Sequence, residues 1–172
     1  DLAAVLGTHV RVLRPAYEIL FEGFQPPRLK GAWRTAWAAG EIEKTSRASV
    51  HLGTKVVPVL SGSSAWHMVY PWPQRPDGII DETCKELARL WRPLLYRAQD
   101  NDKVIGYELH PGSDIFDGAT FEIFLDYTDG HKAACLNYDP SHFLMQQLDY
   151  LQFIKLYGDR IKGFHVKDAE FR

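Results

Sequence analysis

The chain has 172 residues, of which 45% are hydrophobic and 24% charged, and its net charge is −2. That composition fits one ordinary globular domain with a sizeable core. Lys and Arg are scattered without a basic stripe, which argues against a nucleic-acid partner, and no apolar run reaches the roughly 18 residues of a membrane span.

The opening "DLAAVLGTHV" lacks the basic and long apolar regions of a signal peptide. Cys84 and Cys135 make no disulfide framework, so a reducing cytoplasm is expected. A start on Asp and a stop at "KDAEFR" read as a piece cut from something longer. Residues 1–172 are expected to form a single domain truncated at both ends.

In chain order, the apolar run "LAAVLGTHVRVL" (2–13) reads as a strand, followed by an insert rich in Pro, Gly and aromatics (14–33). Residues 34–52 carry apolar positions at helical spacing and stop at Gly53, a C-cap. "KVVPVL" (55–60) is the next strand, and a second long insert, 61–80, follows it. Residues 81–99 predict a helix whose acidic first turn suits the dipole and whose Pro93 should kink or split it. The strand "KVIGYEL" (103–109), a helix at 118–128, the strand "KAACLNYD" (132–139), a helix at 148–158 and the strand "RIKGFHV" (160–166) complete the series. Alternation of this kind implies parallel strands joined by crossovers. Long loops after strands are where an α/β barrel keeps its chemistry. An open doubly wound sheet is the competing fold, but no G-x-G-x-x-G turn follows any strand. A closed barrel needs about 250 residues, so these five strands read as part of one.

Polar residues gather where the later strands end. "YELHP" places Glu108 and His110 after one strand, "NYDPSH" places Asp139 and His142 after the next, and "GFHVKDAE" places His165, Lys167, Asp168 and Glu170 after the third. Taken alone, Glu108 reads equally well as a hydrogen-bonded strand-end carboxylate, Asp139 as an N-cap, and His165 as a core histidine. Three consecutive parallel strands delivering Glu108, Asp139 and His165 to one rim point instead to a metal site. Mixed carboxylate and imidazole donors suit a divalent first-row ion such as Mn²⁺, Co²⁺ or Zn²⁺ better than Ca²⁺. The absence of thiolates from the set argues against structural zinc.

The series "YELHPG…TFEIFL…NYDPSHF…QQLDYLQFIKLYGDRIKGFHVKDAEF" closely resembles the sugar phosphate isomerase/epimerase group, with its xylose isomerase-like TIM barrel. The resemblance is strong over residues 50–172 and weaker over 1–49. It implies a partial (β/α)8 TIM barrel covering about strands 3 to 7, without the first two and the last βα units. It also implies one divalent metal, Mn²⁺ first and Co²⁺, Mg²⁺ or Zn²⁺ as alternatives. Glu108, Asp139 and His165 match three of that family's four ligands, and the second glutamate belongs to the eighth strand. His142 matches a substrate-contacting histidine.

The family chemistry is isomerisation or epimerisation of a small carbohydrate. For this chain the resemblance implies that Glu108 would act as general base on the α-proton, that a bound metal would stabilise the enediolate, and that His142 would stabilise the developing charge. A metal-dependent lyase or dehydratase acting on a keto-sugar, C-glycoside cleavage included, begins with the same step. An inactive truncated remnant or a binding module is the non-enzyme alternative. Multi-zinc phosphodiesterases of the same barrel fit poorly without a basic surface.

Trp66 and His67, in the insert after 55–60, are candidate substrate contacts, with a packed aromatic loop as the alternative. Lys167 is a further substrate contact or, with Asp168, an ion pair locking the rim. His9 and His110 could face the same pocket. His51 and His131 read as surface residues, and Trp33, Trp37 and Trp91 as helix packing. Open sheet edges at both ends of such a piece would be prone to pair with another chain, which leaves a homo-oligomer open.

Overall fold

A computed structural model describes residues 32–65, 76–167 and 169–170. Helix α1 (Ala32–His51) precedes strand β1 (Val56–Val59), and α2 (Ile79–Asp100) precedes β2 (Val104–Tyr107). Helix α3 (Gly118–Tyr127) then leads to β3 (Ala134–Tyr138). Two helices, α4 (Pro140–Met145) and α5 (Tyr150–Tyr157), and a 3-10 turn, Gly158–Arg160, lead to β4 (Ile161–Phe164). The strand predicted over 2–13 lies outside the described residues, as do His9, Trp66, His67 and Asp168.

The four strands pair in parallel in the order β1-β2-β3-β4. With helices packed against them, they form the predicted partial (β/α)8 barrel. Alternation along each strand separates two environments. Ile105 and Tyr107 of β2 and Leu136 and Tyr138 of β3 belong to the buried cluster shared with Leu95, Trp91, Phe121, Phe124, Phe143 and Phe153 from the helices. Tyr107 is wedged edge-on between Trp91 and Phe124, with ring centroids 4.9 and 5.1 Å away. These contacts explain why a sequence with modest helix propensity folds: each helix is held by its apolar face.

Position i+2 from a core residue falls on the same side, so Gly106 and Asn137 occupy the opposite, inner side of the sheet. A register shift between Leu136 and Asn137 in the β3–β4 pairing sets Gly163, rather than Lys162, beside Asn137. In register, Gly106 pairs with Cys135 and Asn137 with Gly163. A Cβ on Gly106 would lie 2.7 Å from Val56 Cγ1 and 3.3 Å from Asn137 Cβ, so this inner layer is filled without it.

Three expectations need correction. Pro93 does not split α2, which runs unbroken from Ile79 to Asp100. Leu87 and Trp91 before it and Leu94, Leu95 and Ala98 after it are buried against the sheet and hold the helix together. Trp33 does not pack on the barrel but stands 76% exposed on the first turn of α1. His131 is buried rather than on the surface. Its Nδ1 accepts from Ala133 N at 3.2 Å, and the Arg160 guanidinium pins the surrounding loop by donating to the carbonyls of Gly130, His131 and Ala134.

The crowded inner layer gives the first prediction. Gly106→Ala should lower the unfolding free energy by about 1–3 kcal/mol, the usual cost of overpacking, measured as a shifted urea midpoint with an unchanged slope.

Candidate metal centre

Glu108 follows β2, Asp139 follows β3 and His165 follows β4, each two residues beyond an inner-facing position. The shared register of parallel strands therefore carries all three to one rim. His165 Nδ1 lies 3.3 Å from Glu108 Oε1 and 3.5 Å from Asp139 Oδ2. His142, on the first turn of α4, approaches the same two oxygens from the other element: its Nε2 is 3.0 Å from Glu108 Oε1 and 3.4 Å from Asp139 Oδ2. The structure thus brings together Glu108, Asp139, His142 and His165.

Asp139 divides its carboxylate. Oδ1 accepts from the Ser141 backbone N–H at 3.0 Å and the Ser141 hydroxyl at 2.6 Å, so it caps α4 as an Asp before a Pro-led helix should. Oδ2 is fully buried and makes no well-directed hydrogen bond. Lys167 Nζ meets it at 2.5 Å as an ion pair and stands 4.0 Å from Glu108 Oε1. Asp139 is thus the N-cap of α4 through Oδ1, while its Oδ2 faces His142 and His165.

Glu108, Asp139 and His142 offer donor atoms that all lie within 4.8 Å of one another. Two buried carboxylate oxygens and an imidazole, with one oxygen lacking a directed donor, fit a divalent metal ion. The ammonium of Lys167 already marks the spot as one where a cation is stabilised. Half-exposed, Lys167 also reaches His142 Nε2 at 3.4 Å.

Electrostatics follow from these contacts. Burial pushes the Asp139 carboxyl up, but the Lys167 ammonium, then Ser141 and His142, outweigh it and hold its pKa at about 2. Burial likewise raises Glu108, and the hydrogen bond from His142 with the charges of both imidazoles and His110 brings it below its ordinary value. Burial and then His142 push His110 down. Its ring packs on that of His142 with centroids 4.1 Å apart.

The loop after β1 is tied to the same rim. Asp114 accepts from the backbone N–H groups of Ser64 and Ala65, and Ser61 Oγ accepts from Ile115 N at 3.1 Å. Two site neighbours escaped the sequence reading: Ser141, which serves Asp139, and Asn137, whose Nδ2 is 2.9 Å from His165 Nε2. For Asn137 the signal was its spacing. A polar residue two before Asp139 on a strand faces the same way.

Comparison with known proteins agrees with this architecture. The pattern of the family described as "Xylose isomerase-like TIM barrel" matches residues 2–172, and the chain belongs to that family. It is 26% identical to an inosose dehydratase of Clostridium perfringens over 92% of this chain and 55% of that protein. Its fold resembles the crystal structure of a 3-keto-D-glucoside 4-epimerase from E. coli, with a TM-score of 0.61 and 20% identity over 78% of this chain and 52% of the other. A xylose isomerase domain protein from Planctomyces limnophilus gives a TM-score of 0.54 at 17% identity, over 80% and 43%. The chain spans about half the length of the relatives it matches. No helix among the described residues is long and apolar enough to cross a membrane.

The depressed Asp139 pKa sets a pH dependence. The folded state binds the proton less tightly, at about 2, than the carboxyl's ordinary 3.8. Its stabilisation, about 2 kcal/mol, is therefore full above pH ~4 and lost as pH falls towards ~2. With a chelator present, the difference in unfolding free energy between the native chain and Asp139→Asn should shrink across that window in acid titrations followed by circular dichroism.

Proposed function

We propose, with membership of the xylose isomerase-like TIM barrel family as the premise, that this chain carries the metal-binding rim of a carbohydrate isomerase or epimerase. The observation that supports this most directly is the convergence of Glu108, Asp139, His142 and His165 on one point beyond three strand ends. Glu108, Asp139 and His165 would hold a divalent ion, Mn²⁺ before Co²⁺, Mg²⁺ or Zn²⁺. Either imidazole reaches the carboxylates. We assign His165 because its far nitrogen has a polar partner, the Asn137 amide at 2.9 Å, whose Oδ1 can accept from Nε2–H once the amide turns over, whereas His142 Nδ1 has none.

A bound divalent ion supplies Lewis acidity that draws charge towards a carbonyl oxygen of the substrate. The substrate class is a small keto-sugar or a ketone derived from a polyol. Glu108, whose pKa is held below its ordinary value by the hydrogen bond from His142 and the nearby imidazoles, takes the proton from the carbon beside that carbonyl as its carboxylate. His142 is held by its position on α4 and by the His110 ring, and donates from Nε2 to a substrate oxygen as negative charge builds there. Lys167, paired with Asp139 Oδ2 and within 3.4 Å of His142 Nε2, would be free to hold a substrate oxygen if a divalent ion took its place on that carboxylate. Trp66 and His67 are proposed as substrate contacts. The two free buried cysteines fit a reducing cytoplasm.

A dehydratase on a keto-sugar is the second reading, supported by the match to the inosose dehydratase over most of this chain. Both reactions begin with the same proton transfer and part only when a hydroxyl leaves.

Two measurements test the proposal. Mn²⁺ at about 100 times its dissociation constant should stabilise the native chain by roughly 2.7 kcal/mol, seen as a rise in Tm that Asp139→Asn removes. In D₂O, NMR should show wash-out of the hydrogen beside the ketone, abolished in Glu108→Gln with the fold intact. Unchanged exchange in that variant would rule out Glu108 as the base, and loss of water from the substrate would select the dehydratase.

A further inference from the structure

We propose that Asn137 is a positioning residue whose amide holds Nε2 of His165 and, by which way round it faces that nitrogen, favours one tautomer of the ring or the other, and so governs what His165 presents to the carboxylates. This rests on the metal reading above but makes a separate claim. Asn137 is buried and lies on the inner side of β3, two residues before Asp139. Its amide is 2.9 Å from His165 Nε2, while Nδ1 of the same ring faces Glu108 Oε1 at 3.3 Å. One end of the imidazole is therefore set by Asn137 and the other by the site.

A neutral imidazole has one N–H and one bare nitrogen. When the Asn137 amide donates from Nδ2, Nε2 accepts and the proton sits on Nδ1, where it donates to Glu108. When the amide turns over, Oδ1 accepts from Nε2–H, and Nδ1 faces the carboxylates with a free lone pair. That second form is the one a metal ligand needs. Passing from the first form to the second moves one proton off Nδ1 to solvent and one from solvent onto Nε2, with no net change. Asparagine supports both forms at the same position without adding charge. An aspartate there would accept only, and would add a negative charge beside Glu108 and Asp139.

The opposite strand makes room for this device. Asn137 is in register with Gly163, and a Cβ on Gly163 would collide with Asn137 Oδ1. Gly163 touches neither carboxylate in any described contact, yet its missing side chain is what lets the amide lie across β4 towards His165.

The test uses the full chain and its Asn137→Leu, Asn137→Asp and Gly163→Ala variants. The ring ¹⁵N shifts of His165, assigned by their loss in His165→Gln, report the tautomer in metal-free protein at alkaline pH. Zn²⁺ titration, followed by calorimetry, reports affinity. The native chain should show the proton on Nδ1 without metal, and Asn137→Asp should move it to Nε2. Asn137→Leu and Gly163→Ala should give a mixture and weaken Zn²⁺ binding by about tenfold to a hundredfold, the usual effect of losing such a partner. Gly163→Ala keeps the amide in the chain, so it tests the same claim if Asn137→Leu fails to fold. Identical His165 tautomers in all folded variants would overturn the proposal. Tautomers that follow the substitutions in a chain that binds no Zn²⁺ would uphold it and sink the metal reading instead.

Discussion

The Asp139 carboxylate belongs at once to the fold and to the site, and the arrangement around it follows from that division. Oδ1 is taken up by the Ser141 backbone and hydroxyl at the start of α4, which fixes the rotation of the whole group. Oδ2 is then directed at the point where His142, His165 and Lys167 meet. Because Pro140 opens α4 immediately after Asp139, His142 falls on the first helical turn and its ring comes back over β2 to Glu108. A cap, a helix start and a cluster of donors are thus consequences of four successive residues. Loss of the cap would turn Oδ2 as well as destabilise α4.

Two buried carboxylates a few ångströms apart would be unstable without positive charge nearby. Here that charge comes from Lys167 and from the hydrogen bonds of two imidazoles. Two of these partners can give way. Lys167 is half-exposed and ends a flexible chain, and His165 can turn from donor to acceptor through a change of tautomer. The fixed parts are the acceptors, held by strand register and by the Asp139 cap. A site with rigid anions and exchangeable cations is one into which a divalent ion can be traded without refolding.

Much of this was legible in the sequence because parallel strands translate chain position into space. Glu108, Asp139 and His165 follow three consecutive apolar runs, and parallel pairing puts them on one rim, although the register shift that turns His165 inward has no local signal in the sequence. What escaped depended on packing that no local pattern carries. Pro93 breaks helices on propensity, but α2 is clamped on both sides of it by buried Trp91 and Leu94. His131 looked like a loop residue because the Arg160 guanidinium that buries its loop comes from 29 residues further on. His142 read as a substrate contact, and nothing in the spacing D-P-S-H says that its Nε2 also lies on Glu108, which depends on how α4 leaves the rim. Trp66 and His67 lie outside the described residues, so the fold does not bear on them.

The inner layer beneath the rim explains why the polar residues above it can point inward at all. Gly106 and Gly163 leave space on either side of Asn137, and Val56 closes that space from β1. In a barrel interior filled with branched side chains, the second position before each strand end is normally a packing residue. Here two of those positions are glycine and the third is an amide, so one strand can lend its side chain to the histidine of the next. That choice sacrifices apolar burial in the layer below the site, yet the helix side of the same strands compensates with Tyr107, Leu136 and Tyr138, all essentially inaccessible to solvent. Stability is carried on the outer face of the sheet and chemistry on the inner one. The alternation of side chains along β2 and β3 is what lets four- and five-residue strands serve both.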